Sequence, residues 1–546
     1  MNSKTDGPEW RWVLVWAVLI VIISSIPYLW GIWITPPGYH FLGLTHNIDD
    51  GAVYLSWMRQ AADGHLFIRN LFTNEPQRGR AFNVLFLLMG WFAALTRLSL
   101  IWVYHVFRAG LGIGLIFAIW QFSKPFLEDS GARKLLIPLV GLSAGVGWLF
   151  PSGKPPTGPV DIWQPEAITF LSIYLNPLFL AAQVLMLGAL YSLLLAHRTG
   201  HARYAAYAGV SMLLLGNIHT YDVVTVAAVW VAYLLIVTAR DRKLDLRSIG
   251  LSLIAALIAL PSAGYQLYVY RIDEVFRARA NTPTPSPPIW SFFAGYGLVL
   301  IGAAVGASLY VRSRPRSRPH SPLSALHSPL LLAWSLIGFM LPYIPVAQQR
   351  KLVMGLHIPL CILCAAALSA LASRIPRTVR GWTLAAFVVL TFASNARFLA
   401  NDISLLNNGT TAPHYAPFIS TAELDAIRHF GDNTRWYQTV LAPPTFSLFL
   451  PALAGRQVWY GHWSETPDYA DKIRQWARLA LPGPNVSMRE RREVIRRSGA
   501  FYVVHIEADG RRLVRSPRSL NLEYLWASGD PRVVIYRVTR RLDRAR

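Results

Sequence analysis

Apolar residues recur along this chain in long unbroken runs, and the runs set the architecture before any single residue does. The first, Trp12 to Trp33, is 22 residues long, enough at about 1.5 Å per residue to cross a hydrocarbon core of ~30 Å. It is too long for a signal-peptide core and has no small-residue cleavage site, so it predicts a retained span. Further runs of spanning length lie near 101–121, 134–150, 168–196, 204–219, 222–239, 248–268, 291–311, 329–345, 353–372 and 382–399. The pattern predicts a polytopic α-helical membrane protein with about 11 transmembrane helices.

One more apolar run, AFNVLFLLMGWFAALT at 81–96, decides the parity of every later loop. With this run not crossing and the N-terminus inside, the short inner loops hold sixteen Lys and Arg: Lys124, Arg133, Lys134, Arg198, Arg203, Arg240, Arg242, Lys243, Arg247, Arg312, Arg314, Arg316, Arg318, Arg374, Arg377 and Arg380. The outer short loops hold six, Lys154, Arg271, Arg277, Arg279, Arg350 and Lys351. The positive-inside rule therefore predicts a re-entrant or interfacial segment at 81–96 and places the C-terminal region outside.

Beyond residue 400 the pattern changes. Strand-length apolar runs, RQVWYG at 456–461, FYVVHI at 501–506 and VVIYRV at 533–538, alternate with polar helical stretches such as ISTAELDAIRHF and YADKIRQWARLAL. The chain is thus expected to divide into a membrane domain at 1–400, with a first outer loop at 34–100, and an extracytoplasmic α/β domain at 401–546.

Composition agrees with the runs: 53% hydrophobic, 15% charged and a mean hydropathy of +0.34 exclude a water-surfaced globular chain. Twenty Trp, 23 Tyr and 25 Phe suit aromatic belts at two bilayer interfaces. The net charge of +23 is dispersed in loop clusters and the C-terminal region, which points to lipid and phosphate anions and not to nucleic acid. Cys361 and Cys364 sit in one apolar run without nearby ligands, so disulfide and thiol chemistry are not expected.

The ionisable groups gather at the predicted outer rim. In HNIDDGAVYLSWMRQAADGH, at 46–65, Asp49 and Asp50 precede a helix whose apolar positions Val53, Tyr54, Trp57, Met58 and Ala61 predict that it lies flat on the membrane surface. One Asp can serve as N-cap, which leaves the other available. The second outer loop carries Asp161 and, after Pro165, Glu166; NIHTYD carries His219, Tyr221 and Asp222. In PVAQQRKLVMGLHIPL, Gln349, Arg350 and Lys351 put two cations on the side that otherwise lacks them. A lipid phosphate or pyrophosphate accounts for them, as does head-group anchoring. No P-loop, dinucleotide fingerprint, HExxH or paired CxxC occurs, and the inner loops are too short to bind a nucleotide donor. An enzyme of this layout draws its activated group from lipid.

The arrangement resembles the GT-C glycosyltransferases. The resemblance is carried by DDGAVYLSWMRQAADG, PEAITFLSIYLNPL, HTYD, QQRKLVMGLHIPL and GRQVWYGHWSETPDY in that order. It implies transfer of a sugar from a polyprenyl-phosphate or pyrophosphate carrier to a glycan, lipid or protein acceptor at the outer face of a bacterial inner membrane. It also implies inversion, with a base in the first outer loop, here Asp49 or Asp50, and with Glu166 as a further catalytic carboxylate. Tyr54, Arg59, His219, Tyr221, Asp222, Gln349, Arg350 and Lys351 are the expected substrate-binding groups. No nucleotide cofactor is expected and a divalent metal is left open. The WWDYG-type signature of oligosaccharyltransferases is absent, which argues against asparagine-linked protein glycosylation. A flippase of lipid-linked sugars and a glycan ligase using a lipid pyrophosphate are the competing readings. The outer-rim position of the ionisable groups disfavours the flippase, whose charged sites belong at mid-membrane.

Overall fold

In the computed structural model, nine helices among the described residues are long and apolar enough to cross a membrane: Glu9–Trp33, Leu100–Ser123, Ser130–Leu149, Pro177–Thr199, Asp222–Asp241, Leu246–Ile272, Ile289–Val311, Gln349–Ala372 and Arg377–Gly409. The chain is a multi-pass membrane protein. The structure describes residues 7–150, 155–312, 329–409, 417–481, 486–507, 512–514, 516–529 and 532–539. Lys154, Arg314, Arg316 and Arg318 lie outside them.

Three expected runs take another form. The run near 204–219 is a helix of 17 residues, Ala202–Ile218. The run near 329–345 is a helix of 11 residues, Leu330–Met340, continued by a 3-10 turn. Both are shorter than the nine. The run at 168–196 is broken, with Thr169–Leu175 ending where Pro177 opens Pro177–Thr199. Proline at the first helical position has no amide to lose, and the Asn176 side chain accepts from the Phe179 amide at 3.0 Å, so a new helix starts there. The segment at 81–96 is a helix of 13 residues, Val84–Thr96, about 20 Å long and shorter than the hydrocarbon core.

The chain divides into two compact units, each assembled from three stretches. Unit 1 is Met1–Pro27, His105–Leu267 and Pro283–Asn401; unit 2 is Tyr28–Tyr104, Tyr268–Thr282 and Asp402–Arg546.

Unit 1 is helical. Of the helices of spanning length, the most enclosed is the one that contains His357–Ala372, packed between Ser130–Leu142 and Ile289–Arg312. A β-carbon at Gly306 would collide with the Leu363 carbonyl, and one at Gly302 with the Cys364 sulfur. Small residues therefore let two backbones approach, the usual solution where lipid supplies no hydrophobic drive. Cys361 and Cys364 are buried and unlinked.

Unit 2 carries the strands. Tyr39–Phe41 pairs antiparallel with Phe418–Ser420. A second sheet has the order Val440–Leu441, Tyr502–Glu507, Arg532–Val538, Leu522–Ser528, parallel at the first pairing and antiparallel at the other two. The expected strands at 501–506 and 533–538 are present. RQVWYG is not a strand: its backbone makes only isolated bridges, Val458 with Val440 and Tyr460 with Thr73. The helix Ile48–Ala62 packs against Val84–Thr96 and Pro444–Ala454. Its apolar face, expected to lie on lipid, is covered by protein: Val53, Trp57, Met58 and Ala61 are buried. Burial of Val53 and Met58 contributes roughly 1.5–3 kcal/mol each.

Candidate functional site

The acidic pair stands in the first turn of Ile48–Ala62, and neither Asp is the N-cap. That position belongs to Asn47, in the left-handed region at φ 48° with no side-chain cap bond. Neither carboxylate is the cap, and both approach one imidazole. His462 Nε2 lies 3.5 Å from Asp50 Oδ1 and 3.7 Å from Asp49 Oδ2. The His462 side chain is fully buried, while those of Asp49 and Asp50 are 32% and 45% exposed. The pair is within ion-pair range but makes no hydrogen bond of ordinary length at Nε2.

The other ring nitrogen settles the tautomer. His462 Nδ1 accepts from the amides of Ser464 at 3.1 Å and Glu465 at 3.3 Å. An amide can only donate, so the neutral ring carries its proton on Nε2, towards the carboxylates. Burial alone would lower the pKa of His462; the adjacent Asp50 carboxylate, with the charges of Glu465 and Asp49, outweighs it and holds the pKa above the ordinary imidazole value.

Several bonds fix this loop. Thr466 Oγ1 accepts from the Gly461 and His462 amides and donates to the Phe72 carbonyl at 2.7 Å. Glu465, 4% exposed, pairs with Arg279 at 2.5 Å and accepts from Asn70 Nδ2 at 3.1 Å. Arg279 lies over the Trp57 ring at 4.6 Å. Its short helix Glu274–Ala280 is tied down by Asp273, which caps the Val275 and Phe276 amides with one oxygen and takes the Arg78 and Gly79 amides with the other.

Of the other expected residues on this unit, Tyr54 stacks on Phe86, with ring centroids 5.0 Å apart. Arg59 is held by Asp63 one helix turn on, at 2.7 Å.

Unit 1 holds the remaining candidates. Glu166, in the 3-10 turn Pro165–Ala167, is 8% exposed and makes no hydrogen bond or ion pair among the described residues. Asp161 is fully buried and accepts from the Gly145 and Gly147 amides, both at 3.0 Å. Burial raises its pKa to about 6, with the hydrogen bonds from Ser394 and the amides pulling the other way. Gly145 is held close to the kink at Gly297, φ 45°, where a side chain would be strained.

His219, Tyr221, Asp222 and Lys351 form one cluster. His219 Nδ1 meets Asp222 Oδ2 at 2.7 Å, the His219 and Tyr221 rings are 4.4 Å apart, and Lys351 Nζ donates to the Tyr221 hydroxyl at 3.3 Å. Arg350 lies over the Trp163 ring at 5.5 Å, its Nε buried without a hydrogen-bond partner, and its carbonyl accepts from Gln164 at 2.9 Å. Gln349 is spent on the loop itself, accepting from the Ser286 amide and donating to the Ile344 carbonyl.

His462, Glu465 and Arg279 are the site residues the sequence reading left without a role. The signals were there in outline: a polar HWSE directly after WYG, and Arg279 among the few cations on the outer side.

No family model matches the chain, and no curated protein does. Solved structures do. The oligosaccharyltransferase AglB from the archaeon Archaeoglobus fulgidus, solved in complex with an inhibitory peptide and a dolichol-phosphate, matches with a TM-score of 0.54 at 13% identity, over 91% of this chain and 69% of that one. The same enzyme in complex with Zn and sulfate matches at 0.52 and 15%, over 90% and 68%. ArnT from Cupriavidus metallidurans bound to undecaprenyl phosphate matches at 0.51 and 13%, over 95% and 97%. As to a metal, among the described residues no group of three or more His, Cys, Asp or Glu is placed to hold one, and no step below is routed through one. At these identities the likeness is one of fold: the chain has the GT-C architecture of the two neighbours.

Proposed function

We propose that this protein is a glycosyltransferase that moves a sugar from a polyprenyl-phosphate or pyrophosphate carrier to an acceptor hydroxyl at the outer face of a bacterial inner membrane. Its N-terminus is cytoplasmic, and the C-terminal domain at 401–546 is extracytoplasmic. The observation that carries the reading is the buried His462 facing the two carboxylates in the first turn of one helix. The neighbours solved with dolichol-phosphate and undecaprenyl phosphate support a carrier of that class.

In this reading the acceptor oxygen attacks the anomeric carbon. The bond from that carbon to the phosphate oxygen breaks, its electron pair leaves on the phosphate, and the acceptor proton passes to a carboxylate. A single displacement inverts the anomeric configuration. Asp50 is the base, being the more exposed of the pair and the one nearer His462. His462 is a positioning residue: its Nε2 proton, shared between Asp49 and Asp50, offsets the repulsion of adjacent like charges and keeps Asp50 oriented. On unit 1, taken by itself, Arg350 and Lys351 suit the binding of a lipid phosphate, and Glu166 and the His219–Asp222 pair suit the bonding of sugar hydroxyls or phosphate.

A deletion strain tests this reading. It is expected to accumulate one lipid-linked sugar and to lack the same sugar on a surface glycan, lipid or protein, with both restored by the wild-type gene and neither by the Asp49→Asn, Asp50→Asn double variant. Unchanged lipid-linked sugars and surface glycans would contradict it.

A further inference from the structure

Unit 2 contains a cavity of about 700 Å³ walled by the loop 463–471 and by Val275, Ala278, Arg279 and Thr282, a size suited to a small ligand. One wall is the Trp463 indole. It is 47% exposed and stacks on the buried His462 ring with an interplanar angle of 28°, so a large aromatic surface is held still beside the carboxylate site. The charges around the cavity are already compensated: Arg279 pairs with Glu465 at 2.5 Å and Arg474 with Asp471 at 3.3 Å. A phosphate or free carboxylate would find no surplus cation there. A ligand rich in neutral hydroxyls would find donors and acceptors in fixed planar groups on several sides.

Asp468 supplies a second, independent observation. It is exposed, sits at φ 54° and ψ 33°, and precedes the helix Tyr469–Ala480 without capping it. Its carbonyl accepts from the Asp471 and Lys472 amides at 2.9 and 3.0 Å, while its side chain makes no cap bond. Its carboxylate is left at the cavity wall.

We infer that this cavity is a carbohydrate-binding site, in which the Trp463 ring takes the C–H face of a sugar while Asp468, Asp471 and the two arginines bond its hydroxyls. The inference rests on the transferase reading for its role. Because Trp463 directly follows His462 in the chain, a sugar stacked on the indole is carried beside Asp49 and Asp50. The acceptor glycan and the donor's sugar share this chemistry.

The test uses the full-length protein in lipid nanodiscs on an array of printed oligosaccharides, beside a second array of undecaprenyl-phosphate-linked sugars. Wild type and Asp50→Asn are expected to bind the same saccharides. Trp463→Ala is expected to weaken binding at least about 10-fold, with Trp463→Phe largely restoring it and Asp468→Asn reducing it. Binding of lipid-free saccharides assigns the cavity to the acceptor; binding of lipid-linked forms alone assigns it to the donor's sugar. Absence of saccharide binding by wild type, or equal binding by Trp463→Ala, overturns the inference. Loss of binding in Trp463→Ala together with full turnover in the Asp49→Asn, Asp50→Asn double variant would leave the carbohydrate site standing and overturn the catalytic reading instead.

Discussion

The Nε2 atom of His462 stands 3.5 Å from Oδ1 of Asp50, although the two residues come from opposite ends of the chain. Two amides at Nδ1 hold the ring's neutral proton on the Nε2 side, and charging the ring turns Nδ1 into a donor against them, a cost the carboxylates must also outweigh. This pairing makes His462 sensitive to pH in a defined direction. Its folded pKa is raised, by carboxylate interactions that outweigh burial. Such a group contributes stability that is fully present below the unfolded value of about 6.5 and is lost as pH climbs through the raised folded value. The Tm gap between wild type and His462→Gln is therefore expected to be wide at pH 5.5 and to narrow by pH 9. The variant should also lose turnover with little change in donor KM. A gap independent of pH would show that the ring is not charged by its neighbours.

Asp161 works in the same sense, from a different cause. Burial raises its pKa to about 6, above the unfolded value of about 3.9. The folded state therefore holds a proton that the unfolded chain releases, and the associated stability, about 3 kcal/mol at most, is present below about pH 4 and lost as pH rises through 6. Asp161→Asn keeps an oxygen for the Gly145 and Gly147 amides and carries no charge. Measured by thermal melts in detergent, the variant should gain on wild type at pH 8 and not at pH 4.5; a variant less stable than wild type by the same margin at both would refute the buried-charge account.

Replacing Arg350 and Lys351 together with Ala is expected to weaken binding of undecaprenyl phosphate roughly 10- to 150-fold, the worth of a charge-assisted contact. Both side chains are half-buried, Arg350 over Trp163 and Lys351 against Tyr221, so Tm is measured beside binding. Unchanged binding by a folded double variant would reassign the two cations to head-group anchoring.

Topology can be read by cysteine labelling in intact cells, because the native Cys361 and Cys364 are buried. An impermeant thiol reagent is expected to reach Asp432→Cys from outside and to leave Thr199→Cys untouched until the membrane is opened. The reverse pattern would invert the loop assignment built on Lys and Arg.

Much of the membrane architecture was legible because an apolar run of spanning length has few alternatives in lipid. The strands at 501–506 and 533–538 were legible for a similar reason: short β-branched runs between polar helices. RQVWYG looked the same and is not a strand, since its backbone bridges to Val440 at one point and to Thr73 at another, a choice made by tertiary neighbours. The break at Asn176 was written locally, in an N-cap residue followed by Pro177, inside a run whose hydropathy concealed it. The acidic pair was legible as chemistry, but its setting was not. Asn47 takes the cap in a left-handed conformation, and both carboxylates turn to His462, a residue that no local pattern connects to them. Pairings made across the chain, His462 with Asp50 and Arg279 with Glu465, leave no periodic trace in sequence.

The transfer reaction itself tests the central claim most directly. Asn has nearly the shape of Asp and cannot take a proton at neutral pH, and neither carboxylate is spent on capping. In a purified-enzyme assay with lipid-linked donor, Asp50→Asn is expected to lower turnover about 10²- to 10⁴-fold while its Tm stays within about 2 °C of wild type, with Asp49→Asn milder. Wild-type turnover in the double Asn variant would contradict the assignment of the base to this pair.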